Sequence, residues 1–447
     1  MKIKVLAAAS LTLLATHLPV QAQDTLQYKL RITAPLVDYP QITDLPQRYV
    51  SMDQALESAR GMYELSFWGI DALGNALVRP KSKPGKIWNG ILKYGMTLGF
   101  SRFASELPIP LGEWAHEEFH RTVLGVNGIA SKNGNWLPNR WDGTVYGVTD
   151  GQLSDLKKNH PASLLYAYTA GVQSEVLLNK RISVDDFYHK RTLPKGALLL
   201  YNAWYVHHYF RFSTSPGSDS AKVWAPTFES PLQTERDFAG ADLTAWAYDM
   251  FNPERAFAER TKFKGGDGVN RRVGFSDLSK EAQDYLIRQK KLSLLNYLNP
   301  AIFFVNRIRL GRSFAFNFFT QYAPTHFGSD ISLIVPVQLR ERNLLFGVHR
   351  YDNRDQRYYG FELGMADHRI SEKWLADVSL QAWQQPEAFL KNDHISGGAI
   401  HAKLFHEFSR PLSAYVSVHA KTSGWVMGNP YLASNVSAQL GLRLKVM

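Results

Sequence analysis

His116-Glu117-Glu118-Phe119-His120 is an H-E-x-x-H arrangement. On a helix, residues four apart lie one turn above each other on one face, so both imidazoles can present a nitrogen to a single Zn²⁺. Glu117 then points toward the open coordination position, where it can take a proton from a water acidified by the metal, and the hydroxide so formed attacks a carbonyl polarised by the same ion. The chemistry expected is peptide-bond hydrolysis without a covalent intermediate. The chain contains no cysteine. That excludes a thiolate metal site, a cysteine nucleophile and a disulfide framework, and leaves His, Asp and Glu as the available ligands.

A helix is expected at 111–124. Pro108 and Pro110 precede it, Trp114 and Phe119 supply packing, and Gly125 offers a stop. The segment resembles the active-site helix of the zincin metallopeptidases, although Glu118 stands where that superfamily usually has an uncharged residue. Glu118 is either solvated or paired with a neighbour such as Arg121. The resemblance covers about 65 residues and implies an acidic third ligand on a later helix, as in gluzincin-like enzymes. Glu175 is the candidate, since it lies on an apolar helix expected at 162–178, where small Ala170 and Gly171 would admit close approach to the His116 helix. The alternative is a surface carboxylate at the edge of that helix.

His160 and the His207-His208 pair are further candidates for the third ligand. The pair, or a phenol from Tyr166, Tyr168 or Tyr205, could also donate to a developing oxyanion, or serve only in packing. Asp242 and Asp249 are candidates for outer carboxylates that orient a metal-bound histidine, with helix capping as the simpler role for Asp242.

The 447 residues are 45% hydrophobic and 20% charged, which excludes a disordered chain. Residues 1–22 have the form of a secretory signal: Lys2 and Lys4, an apolar run, then Val20-Gln21-Ala22 as a cleavage site. Its removal takes two lysines from the formal net charge of +11, leaving +9. Export makes nucleic acid an unexpected partner for this basic chain. Outer-membrane lipid and an envelope peptide or protein are the expected ones, with zinc as the cofactor.

From 23 to 300 the pattern is mainly helical, with segments at 53–73, 88–106, 111–124, 162–178, 197–212, 242–251 and 278–298. From 301 to 447 the apolar period drops to two, with strands at 313–322, 330–340, 344–351, 357–366, 375–384, 398–408, 412–422 and 435–446. A segment at 303–310 is read as a lead-in. Connections alternate short and long, as in an outer-membrane β-barrel. The last strand resembles the closing strand of such barrels but ends in Met447 rather than an aromatic residue. The expected fold is therefore α+β: a mainly α zincin-like domain, then an antiparallel up-and-down barrel of about eight strands. A soluble antiparallel sandwich is the alternative for the strands. The function expected is a zinc metallopeptidase with catalytic Glu117 and ligands His116, His120 and Glu175. The alternatives are an enzyme acting on an ester or amide of lipid or cell wall, and a non-enzymatic barrel protein with a structural or vestigial metal site.

Overall fold

The computed structural model describes residues 28–39, 49–104, 107, 109–134, 143–189 and 193–446. The signal sequence lies outside the described residues. Helices α1 (Met52–Leu77), α2 (Lys83–Phe103), α3 (Gly112–Val126), α4 (Asp150–Asn159), α5 (Pro161–Tyr188), α6 (Leu193–Ser213), α7 (Pro216–Trp224), α8 (Asp242–Phe251) and α9 (Lys280–Ser293) precede most of the strands. Ser51 opens α1 with a capping box, its hydroxyl accepting from the Gln54 amide while the Gln54 side chain accepts from Ser51.

The main sheet contains β1 (Tyr28–Tyr39), β4 (Ile308–Arg309), β5 (Phe314–Phe316), β6 (Phe319–Thr325), β7 (Gly328–Leu339), β8 (Arg342–Asp352), β9 (Arg357–Arg369), β10 (Trp374–Pro386), β11 (His394–Glu407), β12 (Leu412–Lys421) and β13 (Asn435–Val446). A two-stranded sheet of β2 (Lys132–Asn133) and β3 (Val145–Tyr146) stands apart. Every strand expected after residue 312 is present, the first of them interrupted at Asn317-Phe318. Two features differ from expectation. Strand β1, from the N-terminal region, pairs antiparallel with β13, so the sheet is not confined to 301–447. The hydrogen-bonded path runs from β1 to β4 without the two ends pairing, so among the described residues the sheet has eleven strands and is not closed into an eight-stranded barrel.

Helix α1 packs on β1, α2 on α1 and α6, and α6 on the 3₁₀ turn Leu294–Tyr297, which meets β6. The two faces of the sheet are opposite in character. Phe346, Val348, Phe361, Leu363, Leu380, Ile400, Val416, Val418, Leu440, Leu442 and Leu444 are exposed on one face. Lys29, Arg31, Glu362, Lys403 and Arg443 line a cavity on the other, whereas Arg340 sits in the exposed β7–β8 turn. The long helix α5, about 42 Å from end to end at 1.5 Å per residue, packs against both α3 and β6. Its later half stays buried because ion pairs neutralise its charges, Lys180 with Glu362 at 2.5 Å and Arg181 with Asp53 at 2.7 Å. A single hydrophobic core includes residues from the helices and from the sheet, among them Phe119, Trp246, Tyr322 and Trp425.

Candidate metal centre

Helix α3 carries His116 and His120 inward, with only 3% and 1% of their surface exposed and ring centroids 4.8 Å apart. Glu117 and Glu118 are also buried. Glu118 is held by Arg121 through two bonds of 2.6 and 2.8 Å and by the Asn133 amide at 3.0 Å, so the departure from the zincin pattern has a structural partner.

The imidazoles are oriented from behind by α5. His120 Nδ1 donates to the Ala167 carbonyl at 2.5 Å. A carbonyl can only accept, so Nδ1 carries the proton and, in the neutral ring, the Nε2 lone pair is left free. His116 Nδ1 faces Glu175 Oε1 at 3.1 Å, which fixes the same tautomer through a carboxylate acceptor. Both Nε2 atoms then face Asp242 Oδ2, at 3.5 Å from His116 and 3.3 Å from His120. Asp242 is the first residue of α8; Ala241 is its N-cap and no side chain caps the helix.

These three ligand atoms lie within 4.8 Å of one another, and the buried group His116, His120 and Asp242 could hold a metal ion. Tetrahedral zinc with bonds of 2.0–2.2 Å separates its ligand atoms by roughly 3.4 Å. The 3.3 and 3.5 Å separations have that spacing. Charge gives a second test. With both histidines neutral, Asp242 and Glu175 bring two negative charges into a buried site, and Glu175 Oε2 has no hydrogen-bond partner among the described residues. One divalent cation balances that pair. Space gives a third. A Cβ on Gly171 of α5 would stand 2.3 Å from the Nε2 atoms of both histidines, so only glycine leaves room beside the lone pairs.

Without a cation, protons take its place. Burial alone would depress the His116 pKa, but Glu175, the hydrogen bonds to Asp242 and Glu175, and the charge of Glu117 hold it well above the ordinary value. Burial raises Glu117 well above the carboxylate range, assisted by Asp242 and Asp237 and opposed by His116.

The acidic residues thus stand at exchanged ends of His116 relative to the sequence expectation: Glu175 at Nδ1, Asp242 at Nε2. The other candidates lie elsewhere. His160 is an exposed residue between α4 and α5, His207 bonds Ser293 at 2.9 Å, and His208 stacks on Trp204. Asp249 is engaged by Lys157 and Arg260, each between 2.8 and 2.9 Å. Tyr166 donates to the Asn429 carbonyl and Tyr168 to Asp249. Tyr205 remains beside the site, its ring centroid 6.0 Å from that of His116. Tyr209 was not singled out by sequence; its hydroxyl accepts the Asp242 amide at 3.0 Å, and its position four residues after Tyr205 on α6 is the signal that could have found it.

Comparison with protein-family models, curated proteins and solved structures finds no match to the chain. The site is therefore defined by its own geometry.

Two outcomes follow. Gly171→Ala should lower zinc content per chain at least tenfold while leaving the helical circular dichroism unchanged; full metal occupancy in this variant would contradict the packing argument. Because the His116 pKa is raised, the metal-free site is protonated at pH 7, and zinc must displace that proton. Calorimetric titration in buffers of different ionisation enthalpy should report at least one proton released per zinc, against none if the site were already neutral.

Proposed function

We propose that the chain is a zinc-dependent hydrolase of the bacterial envelope, most simply a peptidase related in chemistry to the zincins. His116, His120 and Asp242 would hold the ion, and Glu175 and the Ala167 carbonyl would orient the histidines. The observation that carries this reading is the placement of two Nε2 atoms 3.3 and 3.5 Å from one carboxylate oxygen, with all three atoms within 4.8 Å of one another. Zinc bound there supplies a Lewis acid that polarises a carbonyl and acidifies water. Glu117, one residue from His116 on the same helix, is the base that accepts the proton of the attacking water and returns it to the leaving amine. A nearby divalent charge favours the carboxylate form of Glu117 that this role needs, offsetting the burial that raises its pKa.

An exported protein seated in the outer membrane by its sheet is the location we infer. The exposed apolar face and the polar face turned inward support it; the connections alternate in length only from β9 onward, at four, seven, four and thirteen residues, whereas those of β6–β7 and β7–β8 are both of two. No described helix is long and apolar enough to cross a membrane.

A second reading has an observation in its favour. His116 and His120 are almost wholly shielded from solvent, and the two cavities between the helices and the sheet are lined by neither of them nor by Glu117. That pattern suits a structural or vestigial metal in a non-enzymatic barrel-like protein. Glu117→Gln separates the two. In the hydrolase it should retain one zinc per chain while peptide hydrolysis falls about 10²–10⁴-fold, the range for loss of a general base. Retained turnover removes the assigned base; absence of turnover in the zinc-loaded parent chain toward peptide and ester substrates favours the structural metal.

A further inference from the structure

Helix α2 is polar on its buried side and apolar on its exposed one. Its buried residues are Asn89, Lys93, Thr97 and Ser101, a stripe with a spacing of four. Ile87, Trp88 and Ile91 of α2 are exposed, as are Leu65, Trp68, Leu73 and Leu77 of α1, each between 46% and 64%. A helix solvated by water on its outer face has the reverse arrangement. The inward polar groups are held within the hairpin. The Asn89 amide donates to the Gly74 and Val78 carbonyls, both at 2.8 Å. Asp71 and Lys93, the only charged residues in 65–77 and 87–101, pair with each other at 3.0 Å.

The charge of the hairpin is one-sided. Residues 72–105 contain six cations and no acid. Four of the six, Arg79, Lys81, Lys83 and Lys86, are exposed around the turn and have no ion-pair partner among the described residues. From Lys86 to Arg102 the outer face of α2 is free of charge over about 24 Å at 1.5 Å per residue. That is close to the roughly 25 Å apolar band of outer-membrane barrels. The apolar surface of the sheet also extends to the strand on which the hairpin packs. Ile32 of β1 is exposed and stands opposite the exposed Leu442 of β13. Helix α1 lies against β1, with the Gln54 amide donating to the Thr33 carbonyl at 3.1 Å.

We propose that the α1–α2 hairpin faces lipid, with its apolar stripe against the acyl chains of an anionic bilayer and Arg79, Lys81, Lys83 and Lys86 at the headgroup phosphates. A helix satisfies its own backbone hydrogen bonds, so one face can meet hydrocarbon while the other meets protein. Such a helix need not be apolar all round, and neither α1 nor α2 is apolar enough to cross a membrane alone. Lysine and arginine stems lie along apolar surface and carry their charges out to the phosphates, where anionic lipid attracts them. This role rests on the seating of the sheet in the membrane and adds a helical segment to its lipid contact.

Because the chain has no cysteine, single nitroxide labels can be placed without background. The sites are Leu73→Cys, Trp88→Cys and Ile91→Cys on the hairpin, Leu363→Cys and Ile400→Cys on the sheet, and Lys264→Cys in an exposed loop. Each full-length variant that keeps the parent circular dichroism is reconstituted into vesicles of phosphatidylcholine and phosphatidylglycerol. Relaxation by oxygen, which concentrates in hydrocarbon, is compared with relaxation by a water-soluble nickel chelate. The oxygen-to-nickel ratio at the hairpin should match that of the sheet and exceed that of the loop at least tenfold. A loop-like ratio at the hairpin with a lipid-like ratio at the sheet overturns the proposal and spares the seating of the sheet; loop-like ratios at both overturn both. Low relaxation by both reagents at the hairpin overturns the proposal in favour of a protein partner or a second copy. For the turn, spin-labelled phosphatidylglycerol should be restricted by the parent chain more than phosphatidylcholine. That excess should fall at least twofold when Arg79→Gln, Lys81→Gln, Lys83→Gln and Lys86→Gln are combined; an unchanged excess overturns the headgroup assignment.

Discussion

At Gly171 the lack of a side chain lets α5 lie against the histidine face of α3, at a separation no Cβ would permit. Most of the site's order follows from that approach. It brings the Ala167 carbonyl to Nδ1 of His120 and Glu175 to Nδ1 of His116, one helical turn on either side of the glycine. With both Nδ1 atoms occupied, the rings have one orientation and one useful tautomer, and the Nε2 atoms converge on Asp242. A looser crossing would leave two histidines on a helix with no reason to share an ion.

The same helix links the site to the sheet. Beyond Glu175, α5 continues past β6 and along the cavity lined by β9 to β13, where its lysine, arginine and aspartate residues are neutralised by partners on α1, β1 and β9. The arrangement inverts the usual soluble sheet, with charge inside and apolar side chains outside. Helices α1, α2 and α6 pack in succession from β1 to the 3₁₀ turn Leu294–Tyr297, which meets β6.

Much of this is legible in the sequence because the relevant signals are local. The H-E-x-x-H spacing places two imidazoles on one face, the small Ala170-Gly171 pair marks the close crossing, and period-two alternation gives the strands after residue 312. Long-range relations are less legible. Helix α5 extends ten residues beyond its expected end because Lys180, Arg181, Asp185 and Asp186 look solvated in one dimension and are ion-paired in three. Helices α4 and α7 are short, with too few apolar positions to show a helical period. The pairing of β1 with β13 joins residues some 400 apart, which alternation alone cannot reveal. Glu175 and Asp242 were both recognisable as carboxylates near the histidines. Which of them meets Nδ1 and which Nε2 depends on where α5 and α8 dock, a tertiary fact that no spacing encodes.

The central claim is the identity of the ligand set, and anomalous diffraction at the zinc edge from a zinc-loaded crystal tests it most directly. The predicted result is one strong peak at bonding distance from His116 Nε2, His120 Nε2 and an Asp242 oxygen, with Glu175 still on His116 Nδ1. A peak coordinated by Glu175 while Asp242 turns away, or no peak between the two histidines, would contradict it.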